Sequence, residues 1–155
     1  KSGKDLVFAG FSVLQWDGSA EALRTQQLGV TEAIHICGTL EKKTLATLIS
    51  NAYALCYPSM YEGFGFPPLE AMACGVPVLA ARGSAISEIS GQAALQVDPY
   101  SVEDLADGLN RIVFDNSLRS ILISAGYARI QRFSWKATAS AYVKLYREVG
   151  LGMFS

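Results

Sequence analysis

The chain is short of the residues that most often carry charge, metal or redox chemistry. It has one histidine, three cysteines, 17% charged residues and a formal net charge of −1. That balance gives no reason to expect nucleic acid or a strongly anionic membrane as a partner. Cys37, Cys56 and Cys74 are odd in number and form no CxxC pair. They read as reduced, buried thiols in a cytosolic setting rather than a disulfide framework. There is no Asp-x-Asp, HExxH or clustered Cys/His set, so no metal is expected. Neither a Gly-x-Ser-x-Gly elbow nor a P-loop occurs, which disfavours hydrolase and NTPase readings. No apolar run approaches the roughly 20 residues of a membrane span, and the N-terminus is not a signal peptide. The chain starts at Lys1 without a Met and enters its first strand within a few residues, as expected of a fragment.

What is present suits a packed globular domain. Half of the 155 residues are apolar, and a single domain of this size buries about 68–70% of its unfolded surface. Leu6–Ala9, Ala33–Cys37, Tyr53–Tyr57, Val76–Ala80 and Ala93–Val97 read as short buried strands of a parallel sheet. Helices are expected at Ala20–Leu28, Glu41–Asn51, Pro67–Cys74 and near Ile86–Ser90. Alternation of this kind implies a doubly wound, Rossmann-like α/β sheet with helices on both faces. After Pro99 the chain becomes helical. Ser101 and Asp104 look like a capping box, with Val102, Leu105, Leu109, Ile112 and Val113 as one apolar face. Two further helices follow, one with Leu118, Ile121, Leu122, Ala125 and Ala128 on a side, the other from Trp135 to Val149. No internal repeat, low-complexity tract or linker interrupts residues 1–155, which read as a single domain.

The segment Tyr57–Val78, YPSMYEGFGFPPLEAMACGVPV, is the most informative stretch. It reads as strand, glycine loop, helix, strand, with Glu62 before the loop and Glu70 in the first turn of the helix. Gly63 and Gly65 open a turn that few side chains tolerate. Pro67 and Pro68 suit the first turn of a helix, where a missing N–H costs nothing. A glycine loop feeding a helix start offers unpaired N–H groups and a positive dipole end, which suit phosphate. Phosphate flanked by two acceptor carboxylates points to a phosphorylated ligand that also carries hydroxyls, such as a nucleotide sugar.

This segment resembles the Glu-x7-Glu motif of family 4 (group 1) retaining glycosyltransferases of the GT-B fold. Glu62 and Glu70 take the acid positions, and Gly63-Phe64-Gly65, Pro68–Ala73, Gly75–Val78, Val97-Asp98-Pro99 and Phe133-Ser134-Trp135 match the accompanying pattern. The likeness runs from about Leu6 to Val149. It implies the second, donor-binding domain of a GT-B enzyme, lacking the acceptor domain and the first strand. It also implies roles: Glu62 faces the transferred sugar and the reacting phosphate, Glu70 accepts from the two ribose hydroxyls, and Gly63, Phe64, Gly65 and the N–H of Leu69 meet sugar and phosphate. Thr39 and Leu40, after the second strand, and Gly10, after the first, would edge the nucleobase site. The family's Arg and Lys for the diphosphate have no counterpart before Leu6. No cofactor is implied beyond the nucleoside diphosphate sugar as donor, and GT-B enzymes generally manage without a bound metal. Partners would be the nucleotide sugar and an acceptor glycan, lipid or small molecule. The location would be cytoplasmic, with peripheral attachment at the inner membrane face left open.

Plainer readings stand beside these. Gly63-Phe64-Gly65 also reads as a simple tight turn, and Pro68 occupies the position of the third glycine of a dinucleotide fingerprint. Thr39 reads equally as an ordinary N-cap, Gly10 as a structural turn, and Phe64 as filling a loop pocket. His35 alternates with Ile34 and Ile36 and reads as a satisfied, half-buried strand residue. Glu88 reads as structural. Lys42, Lys43, Arg119, Arg129 and Arg132 read as solvated helix faces. A non-catalytic nucleotide-sugar-binding module and a nucleotide-sugar epimerase of similar fold remain the alternatives.

Overall fold

The computed structural model describes residues 3–10 and 12–150. The chain divides into two compact units, Lys1–Asn51 and Ala52–Ser155.

In the first unit, β1 (Leu6–Phe8) runs parallel to β2 (Ile34–Ile36), pairing Leu6 with Ile34 and Phe8 with Ile36. Both strands form where expected, but β1 is exposed rather than buried. A parallel strand is buried only when helices cover both its faces, and Leu6, Val7 and Phe8 all stay exposed. The connection holds α1 (Val13–Trp16), not foreseen from sequence, and α2 (Ala20–Gln27). Each starts on a serine. Ser12 and Gln15 form a reciprocal capping box, and the Ser19 hydroxyl accepts from the Ala22 N–H. Trp16 of α1 lies against Phe8, with centroids 5.8 Å apart. α3 (Lys42–Asn51) closes the unit. His35 is exposed, not half-buried, and its Nε2 meets Asp5 Oδ2 at 3.1 Å.

In the second unit, β3 (Leu55–Tyr57), β4 (Val78–Ala81) and β5 (Ala94–Val97) form a parallel sheet in the order β3-β4-β5. Ladder pairing among the described residues thus joins the five expected strands as a pair and a triplet. All four residues of β4 are buried. Successive strand side chains point to opposite faces, so both faces of this strand are covered. Around the sheet lie α4 (Phe66–Ala73), α5 (Ala85–Ser90), α6 (Val102–Phe114) and α7 (Asn116–Ile130), and α8 (Trp135–Gly150) follows. Leu79, Val97, Ile112 and Leu122 form a core cluster, ringed by Ala54, Cys56, Leu95, Leu105, Val113 and Leu118. Each such burial contributes roughly 1.5–3 kcal/mol. Gly108 lets α6 approach the sheet, since a Cβ there would stand 2.6 Å from Val97 Cγ1 and 2.8 Å from Leu79 Cδ1.

Several sequence expectations are corrected in this unit. Val102 and Leu109 do not join the buried face of α6; they are 74% and 40% exposed, and Ile121 on α7 is also exposed. Ser101 caps α6, but the box is one-sided. The Asp104 carboxylate, a methylene shorter than Glu, accepts instead from the Asp98 N–H at 2.7 Å. Cys37 and Cys74 are exposed thiols, and Cys56 is half-buried. Arg119 and Arg129 are clamps rather than solvated charges. Arg119 donates to the Tyr53 carbonyl at 2.7 Å and lies 3.6 Å from that residue's ring centroid. Arg129 donates to the carbonyls of Ile89 (2.7 Å) and Glu88 (2.6 Å). Periodicity shows which side of a helix a residue takes, not which neighbouring carbonyls lie within its reach.

Candidate functional site

The site is built on the β3–loop–α4 unit of the second unit. β3 delivers Tyr57 at its carboxyl end, residues 58–65 form the loop, and α4 starts at Phe66. In open parallel sheets this strand end is where ligands bind. Gly65 is the N-cap of α4, with φ 106° and ψ 53°, a conformation that a side chain resists. Space also selects glycine there. Gly65 is buried, and an added Cβ would press on Ile86 Cγ1 of α5 at 3.3 Å.

The helix starts one residue earlier than expected, at Phe66, which puts Pro67 and Pro68 at its second and third positions. A helix start leaves four N–H groups without intrahelical partners. The two prolines remove two of them, so Gly65 and Phe66 carry the remaining donors together with the positive dipole end. The helix ends on Gly75, φ 71°. Val76 N–H donates to Ala71 (2.9 Å) and Gly75 N–H to Met72 (3.1 Å), the two bonds of a Schellman cap.

Burial of Pro68, Ala71 and Met72 sets the inward side of α4. Leu69 is half-buried, and Glu70 is exposed on the outward side. Ala73 is exposed. Glu62 is half-buried and held on one oxygen. The Tyr57 hydroxyl donates to Glu62 Oε1 at 2.7 Å and the Ser59 hydroxyl to the same atom at 3.0 Å. Burial, and then the hydrogen bond and charge of Glu62, push the Tyr57 phenol up to about 12. It therefore stays a protonated donor through the neutral range. Sequence reasoning passed over Tyr57 and Ser59, although hydroxyls five and three residues before an acid at a strand end were a usable signal.

Phe64 packs on Phe66 (centroids 4.8 Å apart) and edge-on to Phe133 (6.1 Å), while Trp135 stacks on Phe66 at 6.2 Å. Of the two readings of Phe64, the structure supplies neighbours for the packing one. α5 begins beside Gly65, and the Ser84 Oγ at its start is buried without a hydrogen-bond partner among the described residues. Glu88 is exposed; its backbone carbonyl, not its carboxylate, takes the Arg129 bond.

In the first unit, Gly10 follows β1 with φ 87°, and its N–H donates to the Gly38 carbonyl at 2.6 Å. Gly10, Thr39 and Leu40 thus follow the carboxyl ends of β1 and β2. Thr39 is not an N-cap. Leu45 N–H donates to Glu41 O, which puts the cap at Glu41, two residues further on.

A parallel α/β fold with this strand–glycine loop–helix unit belongs to the nucleotide-handling class of doubly wound proteins. The chain matches the family described as glycosyl transferases group 1 over residues 4–129, and it belongs to that family. It is 33% identical over 149 residues to the MMP alpha-(1->4)-mannosyltransferase of Mycolicibacterium hassiacum, covering 94% of this chain and 36% of that protein. Among solved structures it is similar to sucrose-phosphate synthase from Thermosynechococcus elongatus, with TM-score 0.77 and 30% identity. That match covers 96% of this chain and 39% of the synthase. An Anabaena protein solved in complex with UDP-glucose shares the fold at TM-score 0.77 and 20% identity, with 93% of this chain and 41% of that one covered. The chain therefore spans about a third of the length of the mannosyltransferase. Among the described residues no helix is long and apolar enough to cross a membrane.

Proposed function

We propose that the chain is the donor-binding part of a retaining glycosyltransferase that moves a sugar from a nucleoside diphosphate to an acceptor hydroxyl. The observation that carries this reading is a pair of acids in the β3–α4 unit: Glu62 within the loop, held by hydroxyls of the strand end, and Glu70 exposed on α4, beyond its first turn rather than in it as expected. In this reading Glu70 accepts from the ribose hydroxyls, to which an exposed carboxylate offers two oxygens. Gly63, Phe64, Gly65 and the Phe66 N–H at the helix start hold the diphosphate, while the Leu69 N–H, four residues past the N-cap, lies within the helical ladder. Glu62 orients the sugar.

Transfer with retention proceeds on the face of the sugar from which the diphosphate departs, through an ion-pair-like state. The protein's part is to position the reactants and stabilise the leaving charge. Family membership and the 33% identity to a mannosyltransferase support a sugar-transferring parent. The acceptor, a glycan, lipid or small molecule, is assigned to the rest of that parent. A cytoplasmic site of action fits a donor of this kind. The isolated chain is expected to bind donor without transferring it.

Calorimetric titration with UDP, GDP, UDP-glucose and GDP-mannose tests the reading, with Glu70→Ala in parallel. One nucleotide should bind, and the variant should bind it about 10- to 100-fold more weakly, the size of hydrogen bonds to a charged acceptor. Equal affinity in the variant would remove Glu70 from the site.

A further inference from the structure

Glu62 is anchored in an asymmetric way. Both neighbouring hydroxyls donate to Oε1, from Tyr57 at 2.7 Å and from Ser59 at 3.0 Å. Among the described residues none donates to Oε2. The two anchors differ in rigidity. Tyr57 sits within β3, in register with Ala80 of the buried strand β4, so its backbone is fixed by the sheet. Ser59 lies in the loop and shares its single proton between Glu62 and the Tyr61 carbonyl at 3.3 Å. Two donors on one oxygen restrict the carboxylate by pinning Oε1 and leave Oε2 to accept from a ligand. A glutamate on a mobile loop would otherwise sample several rotamers and lose that order on binding.

We infer that Tyr57, with Ser59 assisting, is a positioning residue that aims Glu62 Oε2 at a hydroxyl of the donor's sugar. This makes the strand-end tyrosine part of the machinery that recognises the sugar rather than the nucleotide. The inference rests on the donor-site reading and adds to it a division of labour: the nucleotide is held without Tyr57, and the sugar is held through it.

The test uses the ratio of affinities for a nucleotide sugar and its bare nucleotide, UDP-glucose against UDP or GDP-mannose against GDP, measured by calorimetry on the 155-residue chain. Tyr57→Phe removes only the hydroxyl. It should reduce the ratio by about tenfold, the size of one lost hydrogen bond, while affinity for the bare nucleotide stays unchanged. Ser59→Ala should reduce it less. In a Glu62→Ala background the ratio should already be lost, and adding Tyr57→Phe should change nothing more, because the tyrosine acts only through the acid. A merely structural tyrosine would weaken both ligands equally, and would do so with or without Glu62; either result overturns the inference. So does an unchanged ratio in both Tyr57→Phe and Ser59→Ala, each verified as folded by its thermal midpoint. If the unsubstituted chain binds no nucleotide at all, the donor-site reading falls and takes this inference with it. A normal ratio that ignores Tyr57 removes the positioning role alone.

Discussion

Truncating Arg119 tests whether an arginine that looks like surface charge is a structural clamp. Its guanidinium bridges α7 to the segment entering β3, donating to the Tyr53 carbonyl at 2.7 Å and, more weakly, to Ile112 O at 3.3 Å. It also lies 3.6 Å from the Tyr53 ring centroid. A hydrogen bond from a charged donor contributes about 1.5–3 kcal/mol, and a partly exposed cation–π contact about 0.5–1 kcal/mol. Alanine returns a few tenths through helix propensity. Arg119→Ala should therefore destabilise by about 2–3 kcal/mol, a fall of roughly 5–10 °C in Tm for a chain of this length. Arg119→Lys keeps the charge and most of the stem but loses the planar fork and its stacking, so it should recover less than half of the loss. Arg111→Ala, on the exposed side of α6, serves as the control and should stay within about 0.5 kcal/mol. Thermal unfolding followed by circular dichroism measures all three. A loss at Arg119 no larger than at Arg111, or full recovery by lysine, would refute the clamp.

Three other expectations follow from the same coordinates. Gly75→Ala forces a side chain into the left-handed region at φ 71° and against the Tyr127 hydroxyl, and should cost about 1–2 kcal/mol; Gly75→Asn, which tolerates that region, should cost less in the same unfolding assay. Cys37 and Cys74, both exposed, should react quickly with a thiol reagent, while half-buried Cys56, its thiol pushed up by burial, should react more slowly; three equally fast thiols would contradict the packing around β3. The Tyr57 phenol, raised to about 12 from an ordinary 10, is protonated longer in the folded chain than in the unfolded one. Its contribution to stability is therefore complete below pH 10 and lost as the pH rises towards 12. Tyr57→Phe should flatten that part of the stability profile and delete the latest step in a tyrosinate absorbance titration.

Much of the site was legible because its signals are local. A glycine at the left-handed N-cap of α4, prolines where a helix can spare the N–H, and a glycine at the Schellman position after it each answer a backbone requirement set within a few residues. Glu70 faces outward by helix periodicity alone. The strands of the second unit were equally readable, because buried parallel strands are continuous apolar runs.

What sequence could not show depended on groups far apart in the chain. Arg119 and Arg129 meet carbonyls 66 and 40 residues away, and nothing in helical spacing tells a clamping arginine from a solvated one. The exposure of β1, His35 and Val102 was misread for the same reason: a pattern shows which residues share a side, while only the packed neighbours determine whether that side is covered. The capping reading of Thr39 and Asp104 failed over a shift of two residues and the length of one methylene. The sequence by itself thus determined the turn chemistry, the order of strands and helices, and the two acids bracketing the glycine loop, because backbone sterics and hydrophobic period act over a few residues. Tertiary structure alone decided that Arg119 and Arg129 clamp distant carbonyls, because partners 66 and 40 residues away are set by how the helices pack and not by spacing along the chain.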